Sequence, residues 1–99
     1  MNVQFNDTRL RKNYESYADG VRTWGEIVAR RYVDRVSRLY AAASWEDVRR
    51  FAGFRAHPSH GSRTGRWAID LAGRWRLIVV PNIAEQSVEI EEVSNHYGD

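Results

Sequence analysis

The stretch Arg66-Trp67-Ala68-Ile69-Asp70-Leu71-Ala72-Gly73-Arg74-Trp75-Arg76-Leu77-Ile78-Val79-Val80 decides the fold. Trp67, Ile69 and Leu71 alternate with Arg66, Ala68 and Asp70, and Trp75, Leu77 and Val79 alternate with Arg74, Arg76 and Ile78. A period of two belongs to half-buried strands, so the stretch reads as two strands joined by a turn. For both apolar sets to share a face, Leu71 must lie opposite Trp75. That predicts a three-residue loop, Ala72-Gly73-Arg74, with glycine free to take the left-handed conformation. The same register sets Asp70 against Arg76. It buries Trp67 and Trp75 and turns Arg66 and Arg76 to the opposite face, which is expected to be exposed and basic.

Working outward, a further strand is expected near Ser87 to Val93, after a loop opened by Pro81-Asn82. Before Gly53 the period is helical. Trp24, Val28, Tyr32, Val36, Leu39 and Ala43 recur at steps of three or four and predict one core-facing stripe of a long helix over 21–43. Arg22, Glu26, Arg30, Asp34 and Arg38 line its other side, with Glu26–Arg30 and Asp34–Arg38 spaced for ion pairs. Asp7 is placed to cap a first helix over about 8–17, which Asp19-Gly20 should break. Ser44 caps a short helix that Ala52-Gly53 ends, and Val3 and Phe5 suggest a short strand at the start. The expected architecture is α+β, a single domain over 1–99 with N-terminal helices packed on one face of a small antiparallel sheet.

Composition narrows the function classes. The 99 residues are 42% hydrophobic and 28% charged, an ordinary globular mixture that excludes a disordered or collagen-like chain. No apolar run approaches the ~20 residues a membrane span needs, and the first residues do not read as a secretory signal, which predicts a cytoplasmic protein with no membrane partner. With no cysteine, disulfides, thiolate catalysis and cysteine zinc sites are excluded, and no metal site is expected. The net charge of +2 hides a polarised chain: Arg22 to Arg76 holds twelve arginines against five acids, whereas Glu85 to Asp99 holds five acids and no lysine or arginine. Arginine suits phosphate contact, a weak pointer to nucleic acid.

Between helices and hairpin lies His57-Pro58-Ser59-His60-Gly61-Ser62-Arg63-Thr64-Gly65-Arg66-Trp67, followed by Trp75-Arg76 and, near the end, Asn95-His96-Tyr97. In this order the chain resembles the RelE/ParE superfamily of type II toxins, and within it the HigB, or plasmid-maintenance killer, branch. There a His-Pro-x-Lys-Gly-Asp-Arg-x-Gly loop precedes a tryptophan-bearing strand, Trp-Arg opens the next, and the chain ends near Asp-Tyr-His. His60 stands at the lysine position, Ser62 replaces the aspartate, and His96-Tyr97 has the final pair in swapped order.

The resemblance implies a toxin that enters the ribosomal A site and cuts mRNA without a metal or other cofactor. Such cutting by the RNA's own 2′-hydroxyl needs a base, an acid and cations at the phosphate. Arg63 and Arg76 suit the phosphate, while His57, His60, His96 and Tyr97 are the candidates for proton transfer, with no pair singled out by spacing. The catalytic set expected is Arg63, Arg76, His57, His96 and Tyr97, with His60, Arg66 and Arg74 as RNA contacts. The plainer readings are a His57 bonded to turn backbone, an Arg76 paired with Asp70, and solvated Arg66 and Arg74 that add only positive potential.

The partners implied are a cognate antitoxin, helix-turn-helix and HigA-like, the ribosome and mRNA, and operator DNA through the antitoxin complex. Because the acids of 85–92 are expected to lie too far off to mask a basic face, a separate inhibitor is required. It either covers Arg63, Arg66 and Arg76 with acids or packs on the N-terminal helices, as the HigB resemblance implies. Two other readings remain: a gyrase-poisoning toxin of the ParE kind, and an inactive protein of the toxin fold acting as an antitoxin or operator-DNA partner.

Overall fold

Asp7 Oδ1 accepts a hydrogen bond from the Leu10 amide at 2.8 Å and starts α1 (Thr8–Glu15). The structure is a computed structural model and describes residues 1–59 and 64–95. The break expected at Asp19-Gly20 falls earlier, at Ser16, whose Oγ accepts from the Asp19 amide and starts α2 (Tyr17–Trp24). Gly20 is buried inside α2 instead. A Cβ there would lie 3.2 Å from the Asn13 carbonyl oxygen and 3.3 Å from the Ala29 Cβ, so this glycine serves a close approach of three helices. The long helix expected over 21–43 is divided at Gly25, where φ is +85° and the chain turns into α3 (Glu26–Ala41). The stripe survives the break. Val28, Tyr32, Val36 and Leu39 are buried, Trp24 packs edge-on to Tyr32 at 4.7 Å, and only Ala43 lies beyond the helix. Opposite, Glu26–Arg30 and Asp34–Arg38 form the expected ion pairs at 3.4 and 3.1 Å. Ser44 caps α4 (Trp45–Arg50), and a 3₁₀ turn at Ala52–Phe54 leads into the sheet.

Among the described residues the sheet has five strands, β1 (Asn2–Phe5), β2 (His57–Pro58), β3 (Trp67–Ala72), β4 (Trp75–Asn82) and β5 (Ser87–Ser94), in the order β1-β5-β4-β3-β2. The antiparallel sheet expected is therefore mixed, because β1 runs parallel to β5, Val3 beside Val88 and Phe5 beside Ile90. Parallel neighbours need a long crossover, and here 81 residues of helix and strand lie between Phe5 and Ser87. β2 had no reading in the sequence, since two residues are too few to show a period. Leu10, Tyr32, Val36 and Leu39 from the helices meet Ile69, Leu71, Leu77, Val79, Val88 and Ile90 from one sheet face in a continuous core. Trp67 and Trp75 pack against it half-buried, on the face the alternation assigned them.

Two β-bulges then decide what reaches the other face. Asp70 lies opposite Arg76 as expected, but Trp75 pairs with Ala72, so the turn is only Gly73-Arg74, with φ +53° at Gly73. Leu71 is the extra residue. It and Ala72 oppose Trp75 together, which keeps Leu71 in the core without the three-residue loop. In the β4–β5 pair Val79 faces Ile90 and Ile78 faces Glu92, leaving Glu91 as the extra residue. Two successive glutamates therefore share a side that a regular strand would split between faces.

Candidate active site

Register fixes the rows of side chains on the face away from the helices. One row runs Asp70, Arg76, Ser94, and the next runs His57, Ala68, Ile78, Glu92. Ser59 donates its amide to the Arg66 carbonyl at 2.9 Å, which extends the β2–β3 ladder and places Arg66 one row further on. Arg55, two residues before His57, joins the first row by contact: its Nε lies 3.2 Å from Asp70 Oδ2.

The expected site residues divide accordingly. Arg76 lies on this face, Nε 3.0 Å from Asp70 Oδ1, and its Nη1 donates to the carbonyls of Gly73 at 2.7 Å and Trp75 at 2.9 Å. The plain pairing with Asp70 is thus real, and it fixes the guanidinium at the same time. His57 is half-buried on β2, its Nδ1 2.9 Å from the Arg55 carbonyl, so its backbone-bonded reading also holds. One strand, β3, separates it from Arg76. Arg74 is exposed in the turn. His60, Arg63, His96 and Tyr97 lie outside the described residues.

Arg66 departs from its solvated reading. Its side chain is only 11% exposed, with Nε 2.7 Å from Glu91 Oε1 and Nη2 donating to Glu92 Oε1 at 2.8 Å. The Nε–H does not point at the Glu91 oxygen, so that contact is an ion pair without a hydrogen bond. The expectation of an exposed basic face is overturned with it. Among the described residues Arg55, Arg66 and Arg76 share the face with Asp70, Glu89, Glu91 and Glu92, and Ala68 and Ile78 are fully buried between them. The acids of 85–92 are expected to lie too far off to mask this face, but the bulge at Glu91 aims two of them at Arg66.

Arg55, Arg31 and Arg35 are residues that sequence reading missed. Arg31 Nη1 donates to the Leu71 carbonyl at 2.8 Å and Arg35 Nε to the Asp70 carbonyl at 3.1 Å, tying α3 to the bulged end of β3. These arginines, with Arg55, Asp70, Gly53 and Gly73, border a cleft of about 200 Å³ at the sheet's edge. No period-two count from His57 reaches Arg55, because Arg55 caps the 3₁₀ turn with φ +50° and lies outside β2. Among the described residues no group of three or more His, Asp or Glu side chains could hold a metal ion, and no helix is long and apolar enough to cross a membrane.

No family model matches the chain, and no curated protein matches it in sequence. Its backbone does have counterparts. A YoeB/ParE toxin from Agrobacterium tumefaciens superposes with a TM-score of 0.59 at 16% identity, over 98% of this chain and 100% of that one. A YoeB-YefM complex from Staphylococcus aureus gives 0.56 at 13% identity over 98% of each chain. Helices on one face of a five-stranded sheet, with Arg76 and His57 among the residues of the other face, are therefore built here on the fold of the YoeB/ParE toxins.

Proposed function

We propose that this chain is the toxin of a toxin–antitoxin pair and cuts mRNA on the ribosome, without a metal, in the manner the HigB-like segment from His57 to Leu77 implies. The observation that carries the reading is the placement of Arg76 and His57 one strand apart on the sheet face that the helices leave uncovered, in a fold shared with YoeB/ParE toxins. The Arg76 guanidinium stabilises the phosphate oxygens as negative charge builds there. A proton must leave the 2′-hydroxyl and another must reach the departing 5′-oxygen. His57, His96 and Tyr97 take those roles, with Arg63 as a second cation and His60 and Arg74 along the RNA. A cognate antitoxin, helix-turn-helix and HigA-like, silences the protein and ties it to operator DNA.

The test is controlled expression with mapping of mRNA 5′ ends. Cuts phased with the reading frame, together with growth arrest, support the proposal. Arrest without phased cuts but with broken or poisoned gyrase–DNA complexes supports the ParE-like alternative. Harmless expression and no effect on translating ribosomes support the inactive toxin-fold reading, which the neutralised Arg66 favours.

A further inference from the structure

We infer that Asp70 is a positioning residue that holds Arg55 and Arg76 as a two-arginine clamp for one phosphate group of single-stranded RNA. The inference rests on the RNA-cutting reading for its ligand, but its geometry is independent of it. Both contacts to Asp70 are made through Nε, from Arg55 to Oδ2 at 3.2 Å and from Arg76 to Oδ1 at 3.0 Å. Both are ion pairs, and a carboxylate lying against the inner nitrogen of each guanidinium leaves the outer nitrogens for something else. Arg76 spends Nη1 on the carbonyls of Gly73 and Trp75, and its Nη2 makes no hydrogen bond among the described residues. The Arg55 Nη atoms likewise make none among the described residues, and that side chain is 78% exposed.

Charge and support point the same way. Two cations and one anion leave a net +1, and without Asp70 the two guanidiniums would repel each other apart. Asp70 is itself held, three-quarters buried, on a strand whose carbonyls at Asp70 and Leu71 are gripped by Arg35 and Arg31. The adjoining cleft, about 200 Å³ and bordered by Arg55, Asp70 and the side-chain-free Gly53 and Gly73, gives a phosphate room to approach the outer nitrogens of Arg55 next to the carboxylate that also holds Arg76. A planar fork donates two parallel bonds to phosphate, which a lysine cannot reproduce.

The experiment measures binding of a short 2′-O-methyl oligoribonucleotide, which has no free 2′-hydroxyl and cannot be cut, to the purified chain by fluorescence anisotropy over a range of salt. Arg55→Ala should weaken binding about tenfold and lower the salt slope by about 0.7, the value of one single-strand phosphate contact. Arg55→Lys should restore the slope but only part of the affinity. Asp70→Asn is decisive because the two effects differ in sign. Removing a negative charge beside an anion site strengthens binding if Asp70 merely competes, and weakens it several-fold if Asp70 positions the arginines. Tighter binding by Asp70→Asn, or no change with Arg55→Ala, overturns the clamp, as does a wild-type chain that does not bind the oligonucleotide. Should Asp70→Asn not fold, Asp70→Glu, which keeps the charge and displaces it, must also weaken binding. A wild-type chain that binds as expected yet arrests no growth defeats the toxin reading and leaves the clamp standing.

Discussion

Arg66 and Glu91 meet on the sheet face opposite the helices with Nε 2.7 Å from Oε1, and their side chains are only 11% and 15% exposed. The pair exists because the bulge in β5 turns Glu91 to the side of Glu92, and it removes one cation from the surface a nucleic acid would meet. Glu91→Gln removes the better-buried of the two carboxylates on Arg66 but leaves it Glu92, so a loss of about 1–3 kcal/mol is expected. Glu92→Gln, at a half-exposed position, should cost less than about 1 kcal/mol. Urea unfolding of the two variants checks this, and equal losses would mean the bulge does not bury the pair.

Arg76→Ala and Arg63→Ala should each abolish growth arrest while the chain still folds and still co-purifies with its antitoxin. Loss of a cation at the reacting phosphate typically costs ~10²–10³ in rate. Lysine at position 76 should rescue only in part, since it cannot both reach Asp70 and donate to the Gly73 and Trp75 carbonyls as the guanidinium does. Undiminished arrest by a folded Arg76→Ala chain rules the residue out of the chemistry.

Tyr32 is fully buried on the core stripe and donates its hydroxyl hydrogen to the Leu10 carbonyl at 2.7 Å. Burial above all, with the Asp7 carboxylate a smaller contributor, pushes its ionisation well above the usual tyrosine range. The folded chain thus keeps a proton that the unfolded chain loses near pH 10, so stability present below that pH falls as the pH rises beyond it. The contribution to the slope is at most ~1.4 kcal/mol per pH unit, one proton's worth. Tyr32→Phe should remove this part of the alkaline slope and cost ~1–3 kcal/mol at neutral pH through the unpaired Leu10 carbonyl. Denaturation midpoints at pH 8 to 11 for both chains are the measurement.

Gly25 joins α2 to α3 at φ +85° and ψ 166°, a conformation open almost only to glycine. No atom lies within 4 Å of where its Cβ would be, so Gly25→Ala tests the backbone alone. A loss of ~1–3 kcal/mol is expected from strain of this kind. At Gly20 the same substitution strains nothing in φ but meets the Asn13 carbonyl and Ala29. A neutral Gly25→Ala would show that the helices can join in another way.

What the sequence disclosed follows from which forces are periodic. Trp67 to Val79 alternate because every second residue meets the core, and Val28 to Leu39 recur at helical spacing for the same reason, so strands, helices and facing could be read. The bulges at Leu71 and Glu91 shift that period by one residue without any change of composition, and both the turn length and the fate of Arg66 went with them. Gly20 and Gly25 look alike in a sequence, yet one fills a close helix contact and the other a positive φ. The pairing of Asp70 with Arg76 was legible because it depends on register near the turn. Arg55 was hidden because β2 is too short to show a period, and its partner lies on another strand.

Among the described residues the first strand pairs with the last. β1 lies parallel to β5, so the N-terminal segment leaves the ribosome long before its neighbour exists. During synthesis at ~5–20 residues per second, that leaves several seconds in which Val3 and Phe5 have no sheet to join. Only when Ser87–Ser94 emerges can β5 enter between β1 and β4 and deliver Glu91 and Glu92 to Arg66. The late strand thus closes the sheet and neutralises part of its surface in one event, and a nascent chain stalled short of it carries Arg66 with no acid opposite. The order of synthesis leaves that arginine's charge uncompensated until the sheet is complete.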